Sequence, residues 1–564
     1  MALGLAKAGQ ALYQYGGFVY KGITTPDPNK PLSEHVAVVA SVLLIVIGVG
    51  TVAGFVTMKS VFEYLGGRLR ADSAERRAQV LAVVGEAVEA EKQRVAAAKA
   101  AGQTAAPDTL AAPRAKIVGF FHPFCNAGGG GERVLWVAIE ATLERYPEVV
   151  CAVYTGDCGV SQGEILDKVK TRFGIELDST RVVVVHLRKR YLVAEYTWPR
   201  LTLLGQALGS VPLAYEAVGK LVPDVFVDSM GYPFTYPLVA YVLGIPVVAY
   251  VHYPVVSSDM LGTVSKIFQL PRYVYWQLFA LLYAFVGTFA DVVMTNSTWT
   301  ANHIRSVWWM SRFMDWFMDR SPTLLPRVLY PPCECTELAA ADIGAPREPS
   351  FLALAQFRPE KRHDVMIEQF ARFYDAAGHD TKYRLVLIGT VRTEVDRERV
   401  RQLQKLAARL GVGDNVDFKI ELPWADVVAE LGRASVGLNV MWNEHFGMGV
   451  VEYMAAGLVP VVHNSGGPKL DIVTPVDGKP SGFVFTTPDD TAADASGLPT
   501  LAEAMQRAMA LSPGEASQYR ARARASAERF SKENFVKGWL ERMRVVFILE
   551  QFKHVDRISR GAAY

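Results

Sequence analysis

From Lys116 onward the chain is punctuated by short, continuous apolar runs rich in Val and aromatic residues: KIVGFFHP, VVCAVYTG, RVVVVHL, DVFVDS and IPVVAYVHYP. Runs without in–out alternation suit strands covered on both faces, which are the strands of parallel sheets flanked by helices. Helical stretches such as GERVLWVAIEATLERYP separate them. A second series, FLALAQF, YRLVLIG, NVDFKI, SVGLNV and LVPVVHN, follows Pro331-Pro332. Two successive strand–helix series predict two doubly wound α/β domains, over residues 116–335 and 336–530, with a helical region at 531–564. Such sheets bind ligands at the carboxyl ends of their strands, at a switch point or in a cleft between domains. The length of 564 residues also exceeds what one core normally holds. An apolar fraction of 50% excludes a disordered chain, and 59 basic against 57 acidic residues argues against a nucleic-acid binder.

One segment points to a membrane. Val36 to Thr57 is 22 residues without a charge, enough for a helix rising about 1.5 Å per residue to cross a hydrocarbon core roughly 30 Å thick. Its length and position favour a retained single-pass anchor over a cleaved signal peptide. Lys59, Arg68, Arg70, Arg76 and Arg77 follow it, whereas Lys21 and Lys30 upstream are offset by Asp27 and Glu34. The positive-inside tendency therefore predicts a lumenal segment at 1–35, an anchor at 36–57, a helical stalk or linker at 58–115, and cytosolic domains beyond. On that topology the sequon Asn296-Ser-Thr never meets the lumenal glycosylation machinery. A second apolar run, Tyr273 to Ala290, would put the two domains on opposite sides if it spanned. It is expected to be buried in the first domain or to lie shallowly in one leaflet. The five cysteines form neither a disulfide framework nor a zinc pattern, as expected of a reducing compartment.

Three motifs carry chemistry. In NAGGGGERVLW, Gly128, Gly129, Gly130 and Gly131 stand between a strand and a helix. There the backbone can approach a ligand closely, and amide hydrogens and the helix dipole favour an anion or a sugar; a flexible turn is the ordinary alternative. The segment has neither the Gly-Lys-Ser/Thr of a triphosphate loop nor the spacing of a dinucleotide fingerprint. In ALAQFRPEKRHD, Arg358 and Lys361 follow a strand, where a fork and a point charge could neutralise a diphosphate or form a solvated charge cluster. The densest signal is NEHFGMGVVEYMAAGLVPVVHNSGGPKLDIV. Glu444 and Glu452 stand eight apart, with Gly447 and Gly449 opening a helix between them and Gly457, Pro460, Gly466 and Gly467 shaping two further turns. A glycine-rich helix start offers amide hydrogens to phosphate or sugar, and carboxylates accept bonds from paired sugar hydroxyls.

The Glu-x7-Glu segment, the basic pair and the glycine loop resemble the retaining family-4 glycosyltransferases of GT-B fold, over roughly Lys116 to the C-terminus. The strings HPFCNAGGGGERVLW, HLRKRYLVAEYTWPRLTLLGQALGS and YVHYPVVSSDML resemble the branch of that family that extends dolichol-diphosphate-linked oligosaccharide in asparagine-linked glycosylation. The resemblance implies two Rossmann-like domains facing a cleft, GDP-mannose as donor, and α-1,2 transfer of the fourth and fifth mannoses with retained configuration. The setting implied is the cytosolic face of the endoplasmic reticulum membrane, with other mannosyltransferases of the pathway as candidate partners. Glu452 would accept hydrogen bonds from the ribose and Glu444 from mannose, helped by backbone amides around Phe446, Gly447 and Met448. Lys361 and Arg358 would stabilise departing GDP, and His252 would touch a hydroxyl of the transferred sugar. Loops near Gly389 and Val416 are expected at the base. The glycine loop is expected near the acceptor diphosphate. Arg188, Lys189 and Arg190 would meet that diphosphate or anionic headgroups, with a solvated turn as the alternative. Many members carry Arg five residues before the Lys; here that position is Gln356. No Asp-x-Asp occurs, so no cofactor and no divalent metal are expected, and the basic pair would serve in the metal's place. The final stretch FSKENFVKGWLERMRVVFILEQF resembles the tail that crosses back to the first domain.

Overall fold

The computed structural model describes residues 32–100, 114–255, 270–310, 325–391, 393–487 and 497–559. The chain divides into two compact units, Met1–Leu69 and Arg70–Tyr564. In the first, helix α1 (Leu32–Ala82) begins and runs unbroken past Thr57. The side chains of residues 32–56 lie outside those described, so the anchor expected at 36–57 falls there, as does the lumenal segment before it. Among the described residues no helix is long and apolar enough to cross a membrane.

The second unit holds two parallel sheets. In the first, β1 (Lys116–Phe121), β2 (Val149–Thr155), β3 (Val182–His186), β4 (Val225–Asp228), β5 (Val247–Val251), β6 (Val292–Thr295) and β7 (Arg327–Val328) lie in the order 3-2-1-4-5-6-7. In the second, β8 (Glu348–Leu354), β9 (Arg384–Gly389), β10 (Val416–Ile420), β11 (Ala434–Asn439), β12 (Val459–His463) and β13 (Phe483–Phe485) lie in the order 10-9-8-11-12-13. Both have the doubly wound order, and each reverses direction beside its first strand, between β1 and β4 and between β8 and β11. All residues of β1 and β2 are buried, which is why the sequence shows unbroken apolar runs there. The ten expected strands are present; β7 and β13, at two and three residues, are too short to stand out, and β6 follows directly on the long apolar run of α3, which masks it.

Helices cover both sheets. Those used below are α2 (Gly130–Arg145), α3 (Leu270–Gly287), α4 (Thr298–Val307), α5 (Met448–Ala455) and α6 (Lys532–Ser559). The tail helix α6 returns to the first domain: Phe535, Trp539, Met543 and Phe547 join its core, and Trp539 Nε1 donates to Thr142 Oγ1 at 2.9 Å. Helix α3 takes up the run from Tyr273 to Gly287, and a turn completes it to Ala290. Phe279 and Tyr283 are buried, stacked on Phe234 and tilted against Trp308, while Tyr273, Val274, Leu278, Leu281, Leu282 and Phe285 are exposed. One side is therefore core, and the other presents exposed apolar side chains among the described residues.

The segment expected as a stalk differs from that reading between Arg70 and Val88. Arg70, Ser73, Arg77, Val84 and Val88 are buried. Arg77 donates to Val222 O at 2.9 Å and to Asp224 Oδ2, and Arg70 donates to Leu243 O. Two guanidinium groups share the anchoring with the few buried apolar residues, and their charge hides this face from a reading of hydrophobic periodicity. Asp224, fully buried, also accepts from Arg114 at 3.1 and 3.2 Å and from Ile117 N–H at 2.8 Å. Arg114 in turn meets Glu550 of α6.

Candidate active site

The glycine loop follows β1 at the switch point of the first sheet. Gly128 is left-handed at φ 78°, Gly129 is the N-cap of α2, and Glu132 folds back so that Oε2 accepts Gly129 N–H at 2.6 Å. Glu132 Oε1 stands 3.7 Å from Nε2 of the fully buried His122, whose Nδ1 is 2.9 Å from Ser229 Oγ. Burial works to raise the Glu132 pKa, but His122 and the Gly129 amide outweigh it and hold the carboxyl below its ordinary value. Arg190 pairs with Asp157 and lies 5.0 Å over the Phe124 ring, and Asp157 Oδ2 accepts Asn126 N–H at 3.2 Å. Arg190 thus braces the entrance of the loop. Arg188 and Lys189 are exposed side chains whose backbone N–H groups donate to Glu216, each at 2.9 Å.

His252 follows β5. Its Nε2 is shielded from solvent and has no hydrogen-bond partner among the described residues, and a Cβ on Gly131 would lie 3.7 Å from it. Burial, reinforced by His122, lowers its pKa to about 4, so the ring is neutral near pH 7 and can exchange a hydrogen bond with a hydroxyl. The sequon residue Asn296 is 5% exposed and donates from Nδ2 to His252 O at 2.9 Å, so its amide serves the fold.

Across the cleft, Lys361 lies beyond β8 and Glu444 beyond β11, again at a switch point. Lys361 Nζ bonds Glu444 Oε2, which also accepts from Asn439 Nδ2 at 3.4 Å. Arg358 is not drawn into this pair; its side chain is 41% exposed and 4.0 Å from Glu360. Gly447, at φ 106°, caps α5. Phe446 contributes only backbone here, because its ring is buried between Tyr330 and Phe530. Glu452 on α5 faces Arg133, which bonds Glu334; burial raises the Glu452 pKa, and Arg133 opposes the rise. The turn after β12 supports Glu444 from behind: Gly467 N–H donates to Glu444 O at 2.7 Å, and a Cβ on Gly466 would lie 2.3 Å from that oxygen. Gly389 ends β9 where a Cβ would lie 2.0 Å from Ala355 O, so close packing of two strand ends already requires a glycine there.

The two halves meet. A Cβ on Gly130 would lie 2.5 Å from Met448 Sδ, and His445, next to Glu444, lies with its ring centroid 4.4 Å from that of Tyr253. Glu444, Lys361, Glu452 and Met448 of the second domain therefore share one crevice with the glycine loop and His252 of the first. Such a crevice, with carboxylates for hydroxyls, amides at a helix start and a lysine for phosphate, can hold a nucleotide sugar.

Comparison with known proteins agrees with this geometry. Residues 115–308 match the family described as ALG11 mannosyltransferase N-terminus, and residues 339–510 match Glycosyl transferases group 1. A Neurospora crassa protein named GDP-Man:Man(3)GlcNAc(2)-PP-Dol alpha-1,2-mannosyltransferase is 45% identical over 456 residues, spanning 76% of this chain and 79% of the relative. A Homo sapiens protein of the same name is 42% identical over 451 residues, spanning 76% and 87%. The chain belongs to this mannosyltransferase family. It is thus a glycosyltransferase, and its two-domain arrangement is GT-B-like. Sucrose-phosphate synthase from Thermosynechococcus elongatus aligns with TM-score 0.55 and 17% identity over 77% of this chain and 99% of that one. A trehalose 6-phosphate synthase from Burkholderia multivorans aligns with TM-score 0.54 and 14% identity over the same shares. At such identity these two show the fold alone.

Sequence reasoning passed over several residues that shape the mannosyltransferase crevice. Glu132 stands three after Gly129, the capping-box spacing, and could have been found from that. His122, Arg133 and Asn439 have no local signature; only the folded chain brings them to the loop and the glutamates.

Proposed function

We propose that the protein transfers mannose from GDP-mannose to a dolichol-diphosphate-linked oligosaccharide, forming the α-1,2 linkages of the fourth and fifth mannoses on the cytosolic face of the endoplasmic reticulum. The observation that carries this reading is the Lys361–Glu444 pair opposite the glycine loop, with Gly130 against Met448, in a chain of this family. Glu452 accepts hydrogen bonds from the ribose hydroxyls, and Glu444, freed from Lys361 as donor enters, accepts them from mannose. Lys361 then faces the diphosphate, joined by Arg358, whose exposed side chain leaves Glu360 to swing in. The bond from the mannose anomeric carbon to the diphosphate breaks, and the acceptor hydroxyl oxygen bonds that carbon on the same face. The hydroxyl proton passes to the leaving phosphate oxygen, and GDP departs. Positive charge placed where negative charge develops lowers the barrier. No carboxylate nucleophile is required, and we expect the basic pair to serve without a divalent metal.

The lipid acceptor enters beside Gly128–Gly131, with Arg188 and Lys189 able to meet anionic headgroups or its diphosphate. The exposed apolar face of α3 lies shallowly in the leaflet, and residues 36–57 anchor the chain. Purified protein, GDP-mannose and a trimannosyl lipid diphosphate test the proposal: α-1,2-linked tetra- and pentamannosyl products are expected, unchanged in EDTA. Absence of product, or another linkage, refutes the transfer; activity lost in EDTA and rescued by manganese refutes the metal-free mechanism.

A further inference from the structure

The two domains touch at a second place, behind the crevice. Helix α4 of the first domain begins at Thr298, and Asp471 of the second domain reaches its first turn. Asp471 is 2% exposed; its Oδ2 accepts Thr298 N–H at 2.9 Å, and its Oδ1 accepts the Thr298 hydroxyl and, at 2.9 Å, the hydroxyl of Tyr330. The hydroxyl of the helix's own N-cap, Ser297, accepts Thr300 N–H at 3.1 Å, two residues further into the helix than Thr298. A helix start leaves its first amides without partners and favours negative charge. Here one of those amides is satisfied in trans, by a carboxylate of the other domain.

Both ends of this contact lead into the crevice. Asp471 sits in the turn Pro468–Ile472, directly after Gly466 and Gly467, which pack on the backbone of Glu444, His445 and Phe446. Arg529 fixes the same turn to its own domain by donating to Asp471 O at 2.8 Å. On the other side, Asn296, two residues before Thr298, donates to His252 O, and Trp299 lies with its ring centroid 5.0 Å from that of His445. A short path therefore runs from His252 through Asn296 and Thr298 to Asp471, and through Gly467 to Glu444.

We propose that Asp471 is a positioning residue for transfer: by capping α4 across the domain boundary it holds His252 in register with Glu444. This rests on the reading that mannose is transferred in the crevice between the two domains. The nucleotide part of the donor is held by the second domain, and His252 of the first meets only the transferred sugar, so the catch acts on turnover far more than on donor affinity.

The test compares wild type with Asp471→Asn, Thr298→Val, their double variant and Thr298→Ser, using full-length protein, GDP-mannose and the trimannosyl lipid acceptor. Hydrogen bonds to a charged group are worth about 1.5–3 kcal/mol, about 10- to 150-fold in rate. Asp471→Asn should lower kcat at least tenfold while the KM for GDP-mannose stays within about twofold. Thr298→Val should lower kcat in the same way, the double variant should be little worse than Asp471→Asn, and Thr298→Ser should restore turnover. Asp477→Asn, an exposed acid six residues on, should match wild type. Amide exchange at the first turn of α4, measured in GDP, should quicken in Asp471→Asn and provides a readout independent of turnover. Wild-type kcat in Asp471→Asn, a rise in donor KM matching the fall in kcat, or additive single effects would each overturn the proposal. Should Asp471→Asn not fold, the Thr298→Val and Thr298→Ser pair decides: equal turnover in the two refutes the catch. If wild type itself makes no mannosyl product, the transfer reading fails, and unchanged exchange at α4 then refutes the catch separately.

Discussion

Replacing Asp224 by Asn should loosen the first domain at a site far from any motif. Asp224 has no exposed surface and receives Arg77, both nitrogens of the Arg114 fork and the Ile117 amide. Burial alone would raise its pKa; Arg77 and Arg114 outweigh that and hold it at about 2, against an ordinary 3.8. That depression corresponds to about 2 kcal/mol of stability. The sign follows from the direction: the folded state binds the proton more weakly, so the stabilisation is complete above about pH 4 and is lost as pH falls toward 2. Asparagine removes the charge at every pH and deprives the buried Arg77 and the half-buried Arg114 of their carboxylate. Breaking a buried pair costs about 3–5 kcal/mol, and the lower end applies because Glu550 still holds Arg114. About 3 kcal/mol should lower Tm by about 6–12 °C for a domain of roughly 200 residues. Differential scanning fluorimetry at pH 7.5 and hydrogen exchange over residues 70–88, where Arg77 anchors α1, are the assays. The gap between variant and wild type should narrow below pH 4. A Tm within 2 °C of wild type and unchanged protection at Arg77 would refute the claim that charge holds this segment.

Two further outcomes follow from the crevice. Lys361→Ala should reduce kcat by about 10²–10³-fold at saturating GDP-mannose, the usual loss for one electrostatic group at a developing charge, with a Tm change of only a few degrees; turnover within threefold of wild type would remove Lys361 from the mechanism. Gly467→Ala should cost more than tenfold in turnover. Its Cβ would lie 2.6 Å from Phe446 O and 2.7 Å from His445 O, so backbone beside Glu444 must move, whereas Gly163→Ala has open space and should match wild type in rate assays.

The α/β class and ten of the thirteen strands were legible because burial on both faces writes itself as unbroken Val-rich runs. The glycine loop, Lys361, Glu444 and Glu452 were legible because a strand end, a helix start and a carboxylate leave marks within a dozen residues. Arg190 shows the limit: from sequence it was one of three equivalent cations, yet it pairs with Asp157 while Arg188 and Lys189 point to solvent. Arg358 shows it again, being near Lys361 in sequence but outside the Glu444 pair.

What the sequence determined alone was therefore local: periodicity, glycine placement and charge spacing, each set by the backbone of one segment. The tertiary structure decided which distant groups became partners. Asp224 lies 147 residues from Arg77, and Asp471 lies 173 from Thr298. A carboxylate in the chain carries no mark of which amide or guanidinium it will meet, because that choice is made by the packing of whole sheets and helices and by the cost of leaving a buried charge unpaired.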